Sequence, residues 1–207
     1  LLESVSLDNV QFHIAPVKEH RFAVVFRGQG LSDQLSDTDP QQAGLPPLPV
    51  RAHSPEAQRT ADLANQFIAR ARSLLREEKP ANMILFRGFS RLPHLPSMSQ
   101  VYRLKPAAIA TYPMYKGLAG LVGMTVLPTG STLADEVATL EKSYAQYDFF
   151  YIHFKATDAA GEDGDFDRKV RAIEEADAVV PRVRALNPDV FVVTGDHSTP
   201  ATLVGHS

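Results

Sequence analysis

Two polar stretches concentrate the groups able to do chemistry. Lys155-Ala156-Thr157-Asp158-Ala159-Ala160-Gly161-Glu162-Asp163-Gly164-Asp165 places four acids within eight positions, with two glycines that permit a tight turn. Carboxylate oxygens at this density suit hard divalent cations. Thr194-Gly195-Asp196-His197-Ser198-Thr199-Pro200 sets a carboxylate beside an imidazole, and His206 follows nine positions after His197. That pair suits zinc or manganese, and a loop lets both side chains turn toward one point. Taken alone, the acidic stretch reads as a solvated turn capping a helix at Asp165. Both stretches at neighbouring strand ends point instead to a shared metal site.

The elements that must position these groups follow from hydrophobic patterning. Residues 147–154 (YDFFYIHF) are aromatic and continuously apolar, which predicts a central parallel strand, and residues 190–193 predict a final buried strand. Between them Phe166, Val170, Ile173 and Val180 mark one face of a helix that ends near Pro181. In open α/β sheets catalytic groups collect beyond the carboxyl ends of strands, where both polar stretches fall. Upstream, residues 10–14 and 21–27 around the turn Val17-Lys18-Glu19-His20 predict a β-hairpin. Residues 28–49, rich in Ser and Asp and then in Pro, read as a surface loop. Ser54-Pro55-Glu56 starts a helix whose Ala61, Ala64, Phe67, Ile68, Ala71, Leu74 and Leu75 carry it to about Glu78. Residues 83–86, 107–111 and 124–127 are further strand candidates, and 114–122 and 133–144 are helical. Strand and helix alternate, so the fold class is α/β.

Composition narrows the function. The 207 residues hold 21 Lys+Arg against 24 Asp+Glu, a formal charge of −3, so no basic field awaits a nucleic acid or an anionic membrane. With no cysteine there is no disulfide, thiolate zinc site or thiol nucleophile. No apolar run approaches the ~20 residues of a membrane span, and neither end shows a secretory pattern, so the cytoplasm is the expected location. At roughly 150 residues per domain the length suits one large domain or two unequal ones. Leu1 at one end, and a polar, motif-like stretch running up to Ser207 at the other, read as a piece of a longer protein.

The segment FYIHFKATDAAGEDGDF followed by TGDHSTPATLVGHS resembles the metal-binding return half of the archaeal-type cofactor-independent phosphoglycerate mutases, within the alkaline phosphatase superfamily. FRGQGLSDQLSDTDP, PANMILFRGFS and LKPAAIATYPMYKGLAGLVGM resemble the domain inserted in that family to hold substrate. The resemblance implies an inserted α/β substrate domain over residues 1–146. Residues 147–207 would then be the returning part of an alkaline-phosphatase-like sheet with helices on its faces. It implies two divalent ions, manganese by preference with magnesium, cobalt or zinc as alternatives. It also implies a serine nucleophile that relays a phosphoryl group between two glycerate oxygens. Asp158 matches a ligand of one metal, and Glu162 stands where a second ligand, commonly His, is found. Asp196 and His197 match the pair on the other metal, and His206 returns to the first. Lys116 and Lys155 take catalytic roles, and Arg27, Asp33, Arg87 and Lys116 take substrate-binding ones. Two metals, lysine and arginine suit phosphoryl transfer, which needs positive charge on the equatorial oxygens.

Glu162 substitutes a hard oxygen for an imidazole nitrogen, which favours manganese or magnesium. No serine of this chain sits in the family's nucleophile context, so turnover by these residues alone is not expected. The implied activity is interconversion of 2-phosphoglycerate and 3-phosphoglycerate, with a small phosphorylated glycerate as partner. The alternatives are another two-metal phosphatase, a phosphopentomutase-like enzyme, or a binding module without turnover. A mutase is favoured because a large cap excludes water while the phosphoenzyme waits. His153 alternates within an apolar strand and reads as a satisfied core or site-flanking histidine.

Overall fold

A computed structural model describes every residue apart from Leu1, Ser6, Asp8, Asn9, Glu19 and Ala43. Its internal contacts divide the chain into two units, Leu1–Pro93 and His94–Ser207. The division does not fall at residue 146, because the strand that follows this position pairs along its length with one that precedes it.

In the first unit, β1 (Gln11–Pro16) and β2 (Phe22–Arg27) form the expected antiparallel hairpin. Glu19 of its turn lies outside the described residues. Alternate residues of a strand share a face, so Phe12, Ile14, Phe22, Val24 and Phe26 pack together against the core. The other layer is α1 (Gln58–Leu74), which buries Ala61, Ala64, Phe67 and Ala71 at three- and four-residue steps. The helix stops at Leu74 and not at Glu78. Beyond Leu75 the chain offers only Arg76-Glu77-Glu78-Lys79 before Pro80, with nothing apolar to bury, and a proline disfavours helix at the residue before it.

Phe67 is fully buried. Its ring meets Phe12 and Phe26 edge-on at 5.3 and 5.7 Å and stacks on Phe86 at 5.5 Å. The described residues of the loop over 28–49 form no helix or strand, but the loop is pinned to this core through Thr38, which is 1% exposed. The Thr38 hydroxyl donates to the Phe86 carbonyl at 3.2 Å and accepts from the Phe86 amide at 2.7 Å. Residues 83–86, expected as a strand, are therefore not one. Ile84 and Phe86 are buried and Leu85 is exposed, as in a strand, but Thr38 takes the polar groups of Phe86 that a ladder would need.

In the second unit, β3 (Pro106–Ala110), β4 (Thr125–Val126) and β5 (Phe149–His153) form a parallel sheet in the order β4-β3-β5. The helices are α2 (Met98–Tyr102), α3 (Pro113–Leu121), α4 (Leu133–Ser143), α5 (Ala156–Glu162) and α6 (Phe166–Ala185). The central strand is β3, all of it buried, and not the aromatic β5, whose Phe149 is half exposed. Two further expectations fail. Residues 190–193 join no sheet among the described residues, and Val190, Val192 and Val193 are exposed. The last helix does not end near Pro181 but runs to Ala185, and its stripe of Phe166, Val170 and Ile173 faces outward. Pro181 removes one backbone donor, while beside it Arg182 makes a two-pronged bond to Glu141 of α4, at 3.0 and 2.8 Å.

Within α4, Thr132 and Asp135 form a capping box, and Leu133, Val137 and Leu140 are buried. Glu136 is buried with them at 1% exposure, and its Oε2 has no hydrogen-bond partner among the described residues. Burial pushes its pKa from 4.5 up to about 7, against the Thr111 amide and the Lys116 charge, which pull it down. A carboxyl whose pKa is raised on folding stabilises in its protonated form. That contribution is complete below pH 4.5 and is lost as pH rises through 7. Glu136→Gln removes the ionisation, so its stability relative to wild type should increase between pH 5 and pH 8 by about 2.5 kcal/mol. Urea denaturation at both pH values measures the gap, and a gap that does not change would defeat the assignment.

Candidate metal centre

The parallel strands of the second unit deliver their carboxyl ends to one edge. Thr111 and Tyr112 leave β3 there, and Lys155 leaves β5. The end of the acidic stretch is the expected turn, with Asp165 capping α6 by accepting from the Arg168 amide, but its first part is helix: α5 starts immediately after Lys155, so Asp158 and Glu162 lie one helical turn apart on the same side. Residues 197–206 return to this side, and ligand atoms of Asp158, His197 and His206 all lie within 4.8 Å of one another. Glu162 Oε1 is 3.3 Å from His206 Nε2, and Asp196 Oδ2 is 3.4 Å from His197 Nε2. Five residues singled out from sequence thus converge, although Asp196 approaches from an exposed loop and not from the end of a paired strand.

The ammonium of Lys155 is hydrogen-bonded to Asp158 Oδ2 and lies 3.8 Å from Glu162 Oε2. Burial works to lower the Lys155 pKa, but the Asp158 hydrogen bond and the two carboxylate charges outweigh it and leave the pKa raised. Burial would likewise raise Asp158, but hydrogen bonds from Lys155 and Thr199 and the nearby cations hold it below the usual carboxylate value. A cation already occupies the position facing both carboxylates. Asp158 and Glu162, with the His197 and His206 imidazoles beside them, make a donor set of the oxygen and nitrogen type that manganese, zinc and related divalent ions take. Their spacing is slightly wide for ligand bonds of ~2.0–2.2 Å, so a bound ion would draw the side chains inward.

The other candidates divide between the units. Lys116 is half-buried on α3, and its charge reaches Glu136. In the first unit Arg27 ends β2, exposed. Arg87 pairs with Asp39 at 3.3 Å and Asp33 with Arg91 at 3.5 Å, so the acidic loop binds the segment around residue 87.

Several residues at the centre carried no assignment from sequence. Thr199 is 4% exposed and donates to Asp158 Oδ1 at 2.5 Å. Lys169 of α6 reaches the same loop. Tyr115 stacks on His153 with ring centroids 3.3 Å apart, and His153 Nδ1 is buried without a partner among the described residues. His153 is site-flanking but not satisfied, and burial followed by the Lys155 charge lowers its pKa. No spacing rule marks these groups, because what recruits them is contact between segments far apart in sequence.

A family model described as the Metalloenzyme superfamily matches residues 27–207. The chain belongs to the Metalloenzyme superfamily. Within that superfamily it is 49% identical over 201 residues to a Thermotoga maritima protein named "Probable 2,3-bisphosphoglycerate-independent phosphoglycerate mutase". It is 52% identical over 204 residues to a Thermus thermophilus protein of the same name. Each match covers 97% of this chain and 50% of the relative, so the chain spans about half the length of these curated relatives. Among solved structures, a cofactor-independent phosphoglycerate mutase from Thermoplasma acidophilum superposes with a TM-score of 0.59 at 28% identity. That superposition covers 89% of this chain and 52% of that one. The PH0037 protein from Pyrococcus horikoshii gives 0.61 at 27% identity, over 73% of this chain and 46% of that one. The α/β class and the family resemblance read from the sequence both hold for this superfamily member.

Proposed function

We propose that this chain supplies the substrate-holding part and most of the metal ligands of an enzyme that interconverts 2-phosphoglycerate and 3-phosphoglycerate without 2,3-bisphosphoglycerate. The observation that carries the reading is identity near 50% over 97% of the chain to relatives bearing that name, with the Asp158, His197 and His206 cluster intact. In this reading Asp158, Glu162 and His206 hold one divalent ion and Asp196 and His197 the other. Manganese is the favoured ion. Bound there, the ions would neutralise charge on the transferring phosphoryl group.

The remaining roles belong to the chain's own side chains. Lys116 and Lys155 direct positive charge at phosphoryl oxygens, and Lys155 must leave Asp158 when an ion binds. Arg27 and Arg87 hold the phosphate or carboxylate of the glycerate, with Asp33 accepting from a hydroxyl. The nucleophilic serine lies outside these residues in this proposal. In support, the hydroxyl bonded to Asp158 belongs to Thr199 and is buried, where no substrate reaches it. The insert-and-return organisation, with residues 1–146 as the insert and 147–207 as the return, is also part of the proposal. Cytoplasmic action is a further part, and no helix among the described residues is long and apolar enough to cross a membrane.

The test incubates the full-length enzyme with 3-phosphoglycerate and Mn2+, without 2,3-bisphosphoglycerate, and couples any 2-phosphoglycerate to enolase. Product is expected, and chelation of the metal should abolish it. Inorganic phosphate released with no 2-phosphoglycerate formed would replace the mutase reading by a phosphatase.

A further inference from the structure

We propose that Thr199, which is buried, and Lys169, which is half-buried, form a splint that holds Asp158 and His197 in metal-binding geometry and sets which imidazole nitrogen of His197 faces the cation. The proposal rests on reading the cluster as a metal centre.

The tautomer of His197 follows from one hydrogen. A threonine hydroxyl has a single hydrogen to give, and Thr199 gives it to Asp158 Oδ1 at 2.5 Å. Toward His197 Nδ1, 3.2 Å away, the same oxygen therefore acts only as an acceptor. The Ser198 carbonyl oxygen, 3.3 Å from that nitrogen, is also an acceptor. Two acceptors around Nδ1 place an imidazole hydrogen there, so Nε2 is the ring nitrogen left to face a cation. That nitrogen lies 3.4 Å from Asp196 Oδ2. In the neutral Nδ1–H ring a lone pair and a carboxylate would stand side by side, an arrangement that either a proton or a metal ion on Nε2 relieves. Ligating histidines are oriented by a partner on the other ring nitrogen, and here that partner is Thr199.

Lys169 ties the splint to the helix that carries Asp158. Its ammonium donates to the Thr199 carbonyl at 2.6 Å and to the Thr157 carbonyl at 3.2 Å. One side chain of α6 thus joins the loop after His197 to the first turn of α5. Gly161 makes room for the junction. A Cβ there would run into the Thr199 carbonyl oxygen and stand 3.0 Å from Lys169 Nζ. Asp158 and His197 are 39 positions apart in sequence, and these contacts are what bring them to one place.

The test uses the full chain with Mn2+ as the only probe. Thr199→Val keeps the shape and removes the hydroxyl, and Lys169→Met keeps the stem and removes the ammonium. Each is expected to raise the Kd for Mn2+ about 10–100-fold by titration calorimetry, the range typical of outer partners of metal ligands. Thr199→Ser should restore binding. In the metal-free protein at alkaline pH, where the ring is neutral, nitrogen NMR should find the His197 hydrogen on Nδ1 in the wild type and shared between both nitrogens in Thr199→Val, a change that general loosening of the loop would not produce. Wild-type affinity in a folded Thr199→Val, or an Nε2–H tautomer in the wild type, would overturn the splint. Absence of Mn2+ binding by the wild type would overturn the metal-centre reading, and the tautomer would still decide the splint. If Thr199→Val does not fold, the affinity of Lys169→Met and the wild-type spectrum decide the matter.

Discussion

Asp158→Asn is expected to weaken Mn2+ binding by at least about 100-fold, since losing a direct ligand should cost more than the 10–100-fold loss of an outer partner. The substitution keeps the acceptor for the Thr199 hydroxyl and changes little in shape. It removes the charge that faces Lys155, His197 and His206. The carboxylate is well suited to this role because its pKa is held low, so no proton needs to be displaced before a metal binds at neutral pH. Lys155 would be affected as well. Its raised pKa depends on the Asp158 hydrogen bond and charge, so the ammonium should titrate at lower pH in the variant. Calorimetric titration of wild type and Asp158→Asn with Mn2+ measures the affinity change. Equal dissociation constants would mean that Asp158 serves only to anchor Lys155 and Thr199.

The largest expected effect on stability lies in the other unit, at Phe67. Phe67→Ala should destabilise the first unit by about 3–5 kcal/mol. The ring is fully buried and touches Phe12 and Phe26 from the two strands and Phe86 from the extended segment, so its removal leaves a void bordered by three elements. Edge-to-face and stacked pairs contribute about 0.5–1.5 kcal/mol each beyond area burial, and the substitution removes three at once. Against a total stability of about 5–15 kcal/mol, this is enough to leave the unit partly unfolded at elevated temperature. Phe67→Leu keeps most of the volume and should cost less. Denaturant unfolding followed by far-UV circular dichroism would show the difference, and a loss below about 1 kcal/mol for Phe67→Ala would mean the aromatic cluster closes over the gap.

Local pattern determined much of this protein from sequence alone. Alternation of apolar residues was enough for the β1–β2 hairpin, and three- and four-residue spacing was enough for α1 and α4, because these signals are complete within a few turns or one strand pair. The same holds for the residue types that gather at the carboxyl edge of the second sheet: an Asp-His pair, a following His206 and a run of acids are legible without reference to anything distant. Four motifs in order sufficed for the family. What only tertiary structure decided is which segments find partners. Residues 83–86 and 190–193 have the composition of buried strands, yet a strand exists only where a neighbour supplies the ladder. Thr38 claims Phe86 in the first case, and no described residue pairs with the second. The aromatic β5 resembled a central strand, but β3, built of small residues that let neighbours pack closely on both sides, took that place. The acidic stretch is a helix up to Glu162 and a capping turn only after it, which set Asp158 and Glu162 on one side. Thr199, Lys169 and Glu136 could not be assigned from sequence for a common reason. Each is an ordinary surface residue by type, and only packing against distant segments buries the Thr199 hydroxyl and the Glu136 carboxyl and brings the Lys169 ammonium to the Thr199 carbonyl.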